Sequence, residues 1–301
     1  MTAVCGTVLC LPLASVAMAP RPATDAISAL PSARAWVDAA AANQLHILEG
    51  EDSQPLRYRV HKVDAKGDVV REVIESKEGN VARLIGRNAA PLSVDENNAE
   101  RERLQAILNS PGDFLGHEQR DRASRRFAVE LIHAMPGSML WSFAPGQPEP
   151  SSTPATKAPH AGNQRVPGPQ IVLDFTPDPA FKPPTLVTEA LTGIAGRLWI
   201  DPQSRCITRI EGRILHPVNF GWGGLLARVG EGGTLAFEQQ DTGDGRWLYA
   251  RLSEHITLRE MMVHTIRQNS EMNVFDITRL PTLPTFQDAI RDLLAIPVPT
   301  R

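Results

Sequence analysis

The side chains able to do chemistry are numerous but scattered. Eight histidines invite a metal reading, since imidazole is the commonest metal ligand among side chains. A helical zinc pair needs a second histidine one turn on, and His117-Glu118 has none. His255 and His264 fall nine residues apart in a stretch that reads as strand; an odd separation on one regular strand sends two side chains to opposite faces. No metal site is assigned. The turn Asp241-Thr242-Gly243-Asp244-Gly245 resembles a calcium loop in composition only, because the downstream bidentate Glu is missing. Ser138 and Ser142 lie in no G-x-S-x-G elbow, and Glu49 and Glu51 read as a solvated helix end. Gly221, Gly223, Gly224, Gly230, Gly232 and Gly233 form neither a Walker loop nor a dinucleotide fingerprint. No helix pattern follows them, so they mark bends, bulges or an ordered flap. The chain therefore reads as a non-enzyme, with no catalytic residue and no cofactor.

Charge narrows the partners. Lys and Arg number 31 against 34 Asp and Glu, for a net charge of -3. Phosphate neutralisation needs a basic surplus or stripe, so nucleic acid is excluded as a partner. Arg120, Arg122, Arg125 and Arg126 are interleaved with Glu118, Asp121 and Glu130, which reads as a solvated helix face. Residues 1–19 carry no charge and end in Ala17-Met18-Ala19, the small-x-small pattern of a signal peptide. A buried N-terminal helix is the other reading. Removing the leader would remove Cys5 and Cys10 and leave Cys206 alone, unable to form an internal bridge. Cys206 opens an apolar strand and reads as a small buried hydrophobe.

The remaining chain, residues 20–301, reads as a single domain. Residues 24–48 are alanine-rich, with Asp25 or Ser32 as N-cap and Trp36, Val37, Ala40 and Leu45 on one helical face. Leu56, Tyr58 and Val60 alternate with Arg57, Arg59 and His61, which marks a half-buried strand. Val69 to Glu75 and Asn80 to Arg87 complete a meander. Ser93-Val94-Asp95-Glu96 is a capping box opening a helix to Leu108, and a second helix is expected from Gly116 to Met135. Residues 145–169 are rich in Pro, Gly, Ser and Thr and predict a flexible loop. Met139 to Phe143 and Gln170 to Phe175 flank it as strands, so the loop extends a hairpin. From Gly196 onward, runs at 197–201, 205–215, 233–240, 247–258 and 259–271 read as strands, before a short helix at Gln287 to Leu294. The expected class is α+β: a strongly curved antiparallel sheet, an incomplete barrel, with helices over its concave face.

Large hydrophobes exceed what one thin sheet face needs. Either the concave face encloses a ligand cavity or the helices fill it completely. Trp199, Ile210, Phe237 and Trp247 are the candidate concave-surface, ligand-binding residues, chosen by alternation alone, which leaves the face open.

Three segments carry a family resemblance: Leu56 to Val69 with Gly86 to Glu96, Val172 to Pro177, and Gly196 to Asp201 with Leu235 to Gln239. Over residues 54–275 the chain resembles secreted proteins of Gram-negative type that are similar to the LolA/LolB outer-membrane lipoprotein-sorting group. That resemblance implies an apolar cavity under a helical lid, a periplasmic location and an acylated protein or lipid as partner. It implies a carrier or sensor without enzyme chemistry, at most peripheral to the membrane. The alternative is an envelope assembly or stress factor that binds another protein. An enzymatic reading would need polar residues inside the cavity, around His255 or His264.

Overall fold

A computed structural model of the chain describes residues 31–49, 54–147, 169–220, 227–243, 246–260 and 264–299. The expected signal peptide, residues 24–30 of the expected first helix and residues 148–168 of the expected loop lie outside these.

Ser32 starts α1 (Ala33–Glu49), its hydroxyl accepting the Ala35 amide at 3.2 Å, while Asp25 lies outside the described residues. β1 (Leu56–Asp64), β2 (Gly67–Ser76), β3 (Gly79–Arg87) and the short β4 (Ala90–Pro91) form the expected meander. The capping box opens α2 (Val94–Asn109): Ser93 Oγ accepts from the Glu96 amide at 3.2 Å, and the Glu96 carboxylate accepts from the Ser93 amide at 2.8 Å. α3 (Gly112–Ser138) runs into β5 (Met139–Phe143), and Pro136 in its last turn turns its carbonyl to the Trp141 indole at 3.2 Å. β5 pairs with β6 (Ile171–Pro177), so the 145–169 segment does span a hairpin.

A 3-10 turn (Thr188–Thr192) then leads into β7 (Ile194–Ile200) and β8 (Ile207–Ile214). A small hairpin of β9 (Val218–Phe220) and β10 (Ala227–Val229) precedes three longer strands, β11 (Thr234–Asp241), β12 (Trp247–Glu260) and β13 (His264–Arg279). α4 (Phe286–Ala295) closes the described chain. The last two strands are longer than expected: β12 extends to Glu260 rather than Leu258, and β13 runs from His264 to Arg279. His255 and His264 thus stand on different strands, and the opposite-faces argument does not apply to them.

Among the described residues all strands join in one antiparallel sheet of 13 strands that does not close, with β4 and β5 at its ends, so the barrel is incomplete. Its order, β4-β3-β2-β1-β13-β12-β11-β8-β7-β6-β5, is local except where β1 pairs with β13 and where β11 pairs with β8. α1 and α3 cover the concave face over β5 to β8: Trp36, Val37 and Ala40 pack on Leu173, Leu198 and Ile200. α4 packs on the opposite face of β2 and β3, where Phe286, Ile290 and Leu293 meet Ile74 and Val81. α2 shields the β3 edge, because Glu100 accepts the Leu84 amide at 2.7 Å and Arg103 donates to the Ala82 carbonyl at 2.7 Å. An exposed edge invites foreign strands, and this one is blunted by side chains. Gly196 pairs directly with Gly212; a Cβ on Gly196 would stand 1.8 Å from the Glu211 carbonyl oxygen. No side chain fits between β7 and β8 there.

Candidate functional site: the inner sheet face

Cross-strand partners share a face of the sheet, so the register can be followed from strand to strand. Phe143 lies opposite Leu173, Leu173 opposite Leu198, Leu198 opposite Ile210, Ile210 opposite Phe237, Phe237 opposite Leu252 and Leu252 opposite Met272. One continuous apolar row therefore crosses the sheet on the face that carries α1. Its burial is uneven. Leu173 and Leu198 are fully buried beneath α1, and Ile210 packs at the margin of that cluster. Phe237, Leu252 and Met272 are only partly buried and belong to none of the packed apolar clusters.

The candidate residues divide accordingly. Ile210 and Phe237 meet directly in the row. Trp199 does not line this surface: it neighbours Leu198, whose side chain points to α1, and so stands on the outer face, where the Arg209 guanidinium lies 5.0 Å from its ring centroid. Leu198-Trp199-Ile200 is apolar on both sides, and alternation cannot choose between them. Trp247 is buried at the start of β12 opposite Asp241, which alternation sets on the same face as Phe237 but four residues farther along β11. Leu252 and Met272 were missed; their strand pattern was visible, but the pairing that sets them beside Phe237 is long-range.

The wall beside the open part of the row is fixed by polar contacts from α1. Gln239 donates to Gln44 at 2.8 Å and to the Ile207 carbonyl at 2.7 Å. Asn43 donates to the Cys206 sulfur at 3.0 Å. Burial pushes the Cys206 thiol pKa up, which fits a packed hydrophobe and opposes a nucleophile. The Arg205 guanidinium stacks 3.8 Å over the Trp36 ring.

The outer face has a different chemistry. Asp174, Arg197 and Glu211 stand opposite one another in successive strands, as do Arg209, Glu238 and Arg251. Arg197 holds Asp174 at 2.6 Å, and Arg251 approaches Glu271 at 3.5 Å. Cations and anions alternate there, leaving no basic stripe.

Ser253, His255 and Glu271 also gather on this outer face. The Ser253 hydroxyl donates to Glu271, whose carboxyl is held below its usual range first by that bond and then by His255 and Arg251. Ser253 Oγ and Glu271 both approach the same ring nitrogen, Nε2 of His255, at 3.3 and 3.1 Å, while Nδ1 faces Asn269 at 3.4 Å. A nucleophile relay requires serine and acid on opposite ring nitrogens; this cluster has the geometry of a cross-strand lock. Among the described residues no cluster of three or more His, Cys, Asp or Glu could hold a metal ion, and no helix is long and apolar enough to cross a membrane.

No family model, no curated protein and no solved structure matches this chain. The resemblance to lipoprotein-sorting proteins therefore stands on its sequence segments alone.

Proposed function

We propose that the protein is a periplasmic, non-enzymatic binding protein that carries or senses the acyl chains of lipoproteins or lipids in the cell envelope. The observation that carries this reading is the partly buried apolar row, Ile210, Phe237, Leu252 and Met272, continuing past the edge of α1 on the inner face. A contiguous apolar surface that a folded protein leaves uncovered marks a binding site. An acyl chain laid across the strands would replace water against these side chains at about 0.8 kcal/mol per methylene. The charge-alternating outer face has no comparable surface to offer.

The test is native mass spectrometry of the full chain purified from an envelope fraction, followed by titration with a triacylated lipopeptide. Bound acyl cargo is expected, and Phe237→Asp should abolish it while leaving the circular dichroism spectrum unchanged. An empty protein that also ignores the lipopeptide would overturn the reading.

One observation favours the alternative, an assembly or stress factor acting through protein binding. Among the described residues β5 ends the sheet, and Leu140 and Phe143 on it are exposed at 53% and 39%. Such an edge can accept a partner's strand. Leu140→Pro should then abolish partner capture without changing lipopeptide binding.

A further inference from the structure

A second concavity lies apart from the inner-face row and shares no residue with it. It is a cleft of about 760 Å³ between the C-terminal half of α1, the middle of α3 and the segment leading to the 3-10 turn, within the usual size range of small-molecule sites, about 300–1,000 Å³. Leu45 and Leu48 of α1 face Val129 and Ala134 of α3 across it, so its walls are apolar. Its rim is charged. Val129 and Glu130 lie three and four residues after Arg126 and four and three before His133, so the four share one face of α3, with Arg125 beside them.

The charges on this rim are not equivalent. Glu130 already accepts a hydrogen bond from the Thr185 hydroxyl across the cleft. Arg125 and Arg126 are exposed at its mouth, on the helix face expected to be solvated. Two adjacent exposed guanidinium groups at the mouth of an apolar trough are complementary to one kind of molecule. We propose that this cleft binds a single-chain amphiphile with an anionic head. The alkyl chain lies between Leu45, Leu48 and Val129, and Arg125 and Arg126 hold the head by charge-assisted hydrogen bonds. This proposal is independent of the reading of the inner face.

Isothermal titration of the full chain with decanoate, laurate and myristate below their critical micelle concentrations tests it, with dodecanol as the neutral analogue. Each added pair of methylenes should tighten binding about tenfold. Arg125→Gln/Arg126→Gln, two exposed sites whose change should leave folding intact, should weaken laurate binding at least about tenfold and leave dodecanol unaffected. Dodecyl phosphate should bind like laurate, whereas inorganic phosphate alone should not bind. Absence of laurate binding, or laurate binding that the double variant leaves unchanged, would overturn the proposal. If Phe237→Asp abolishes laurate binding and the double variant does not, the chain lies on the inner face: the cleft proposal fails and the carrier reading survives. If the double variant abolishes laurate binding while lipopeptide is never bound, the outcome is the reverse.

Discussion

Leu198 and Phe237 belong to the same row of side chains, separated only by Ile210, yet truncating them should have opposite consequences. Leu198 is fully buried beneath α1, so Leu198→Ala leaves a cavity that its rigid neighbours close only in part. Such truncations cost about 2–5 kcal/mol. With a urea slope of about 2 kcal/mol per molar, 3 kcal/mol shifts the unfolding midpoint down by about 1.5 M. Phe237 is only partly buried and packs in no cluster. Phe237→Ala removes about half of the roughly 3 kcal/mol that a fully buried phenylalanine contributes, with no closed cavity to add. Its midpoint should fall by only about 0.75 M on the same slope. Lipopeptide affinity should move the other way, nearly intact for Leu198→Ala below its unfolding range and reduced about tenfold for Phe237→Ala. Urea titration followed by tryptophan fluorescence gives the first quantity and calorimetric titration the second. If Phe237→Ala costs as much stability as Leu198→Ala, the row is packed along its whole length and no open face exists.

Gly196→Ala should destabilise by at least about 2 kcal/mol, more than the usual Gly-to-Ala gain of about 0.5–1 kcal/mol, because its Cβ would meet the Glu211 carbonyl at 1.8 Å. Gly116→Ala on α3, where a Cβ meets nothing within 4 Å, should raise the melting temperature instead. Glu100→Gln weakens the bond that closes the β3 edge, and should cost about 1–3 kcal/mol and increase concentration-dependent aggregation, read by light scattering. Glu271 is held below its usual pKa chiefly by the Ser253 hydroxyl. Its stabilisation is therefore complete above the unfolded value of about 4.3 and is lost as pH falls through the lower folded value. Urea midpoints should fall less steeply below about pH 4 in Glu271→Gln than in the wild type. Cys206 is 2% exposed with its thiol pKa raised by burial, so a thiol reagent at pH 8 should label it only at the rate of unfolding.

What the sequence made legible was local. The Ser93 capping box, the Ser32 cap, the first meander and the hairpin around residues 145–169 rest on turn chemistry and short periodicity, and the chain forms them. The curved antiparallel sheet followed from the succession of strands. What stayed illegible was long-range pairing. β1 and β13 are far apart in sequence, and nothing in either names the other, although Val60 and Val274 meet across that seam. The face of Trp199 depended on the same kind of information. Arg209 opposite it on β8 marks the outer side, but the pairing had to be known before the mark could be read. The arginines of α3 read as a solvated helix face, and Arg125 and Arg126 are exposed; that they also line a cleft against α1 depends on helix packing that the sequence does not display.

The contacts of α1 also decide how cargo could reach the inner face. A helical lid that lifts would need a loosely held interface, since low-stability elements are the ones that move. α1 is held differently. Trp36 is buried under the Arg205 guanidinium, Asn43 binds the Cys206 sulfur, and Gln44 and Gln239 form a buried amide pair. Lifting the helix would break the Gln239–Gln44 bond and uncover Leu198 and Ile200 to water together, a cost of several kcal/mol before any cargo is bound. The lower-energy route leaves α1 in place as a wall and admits the chain from the side of β11, β12 and β13, where Phe237, Leu252 and Met272 are already partly exposed. In the carrier proposed above, the buried half of the row would order the sheet and its open half would bind, so locking α1 to β8 by an engineered disulfide should leave lipopeptide affinity unchanged. A loss of binding in that cross-linked protein would make α1 the moving part.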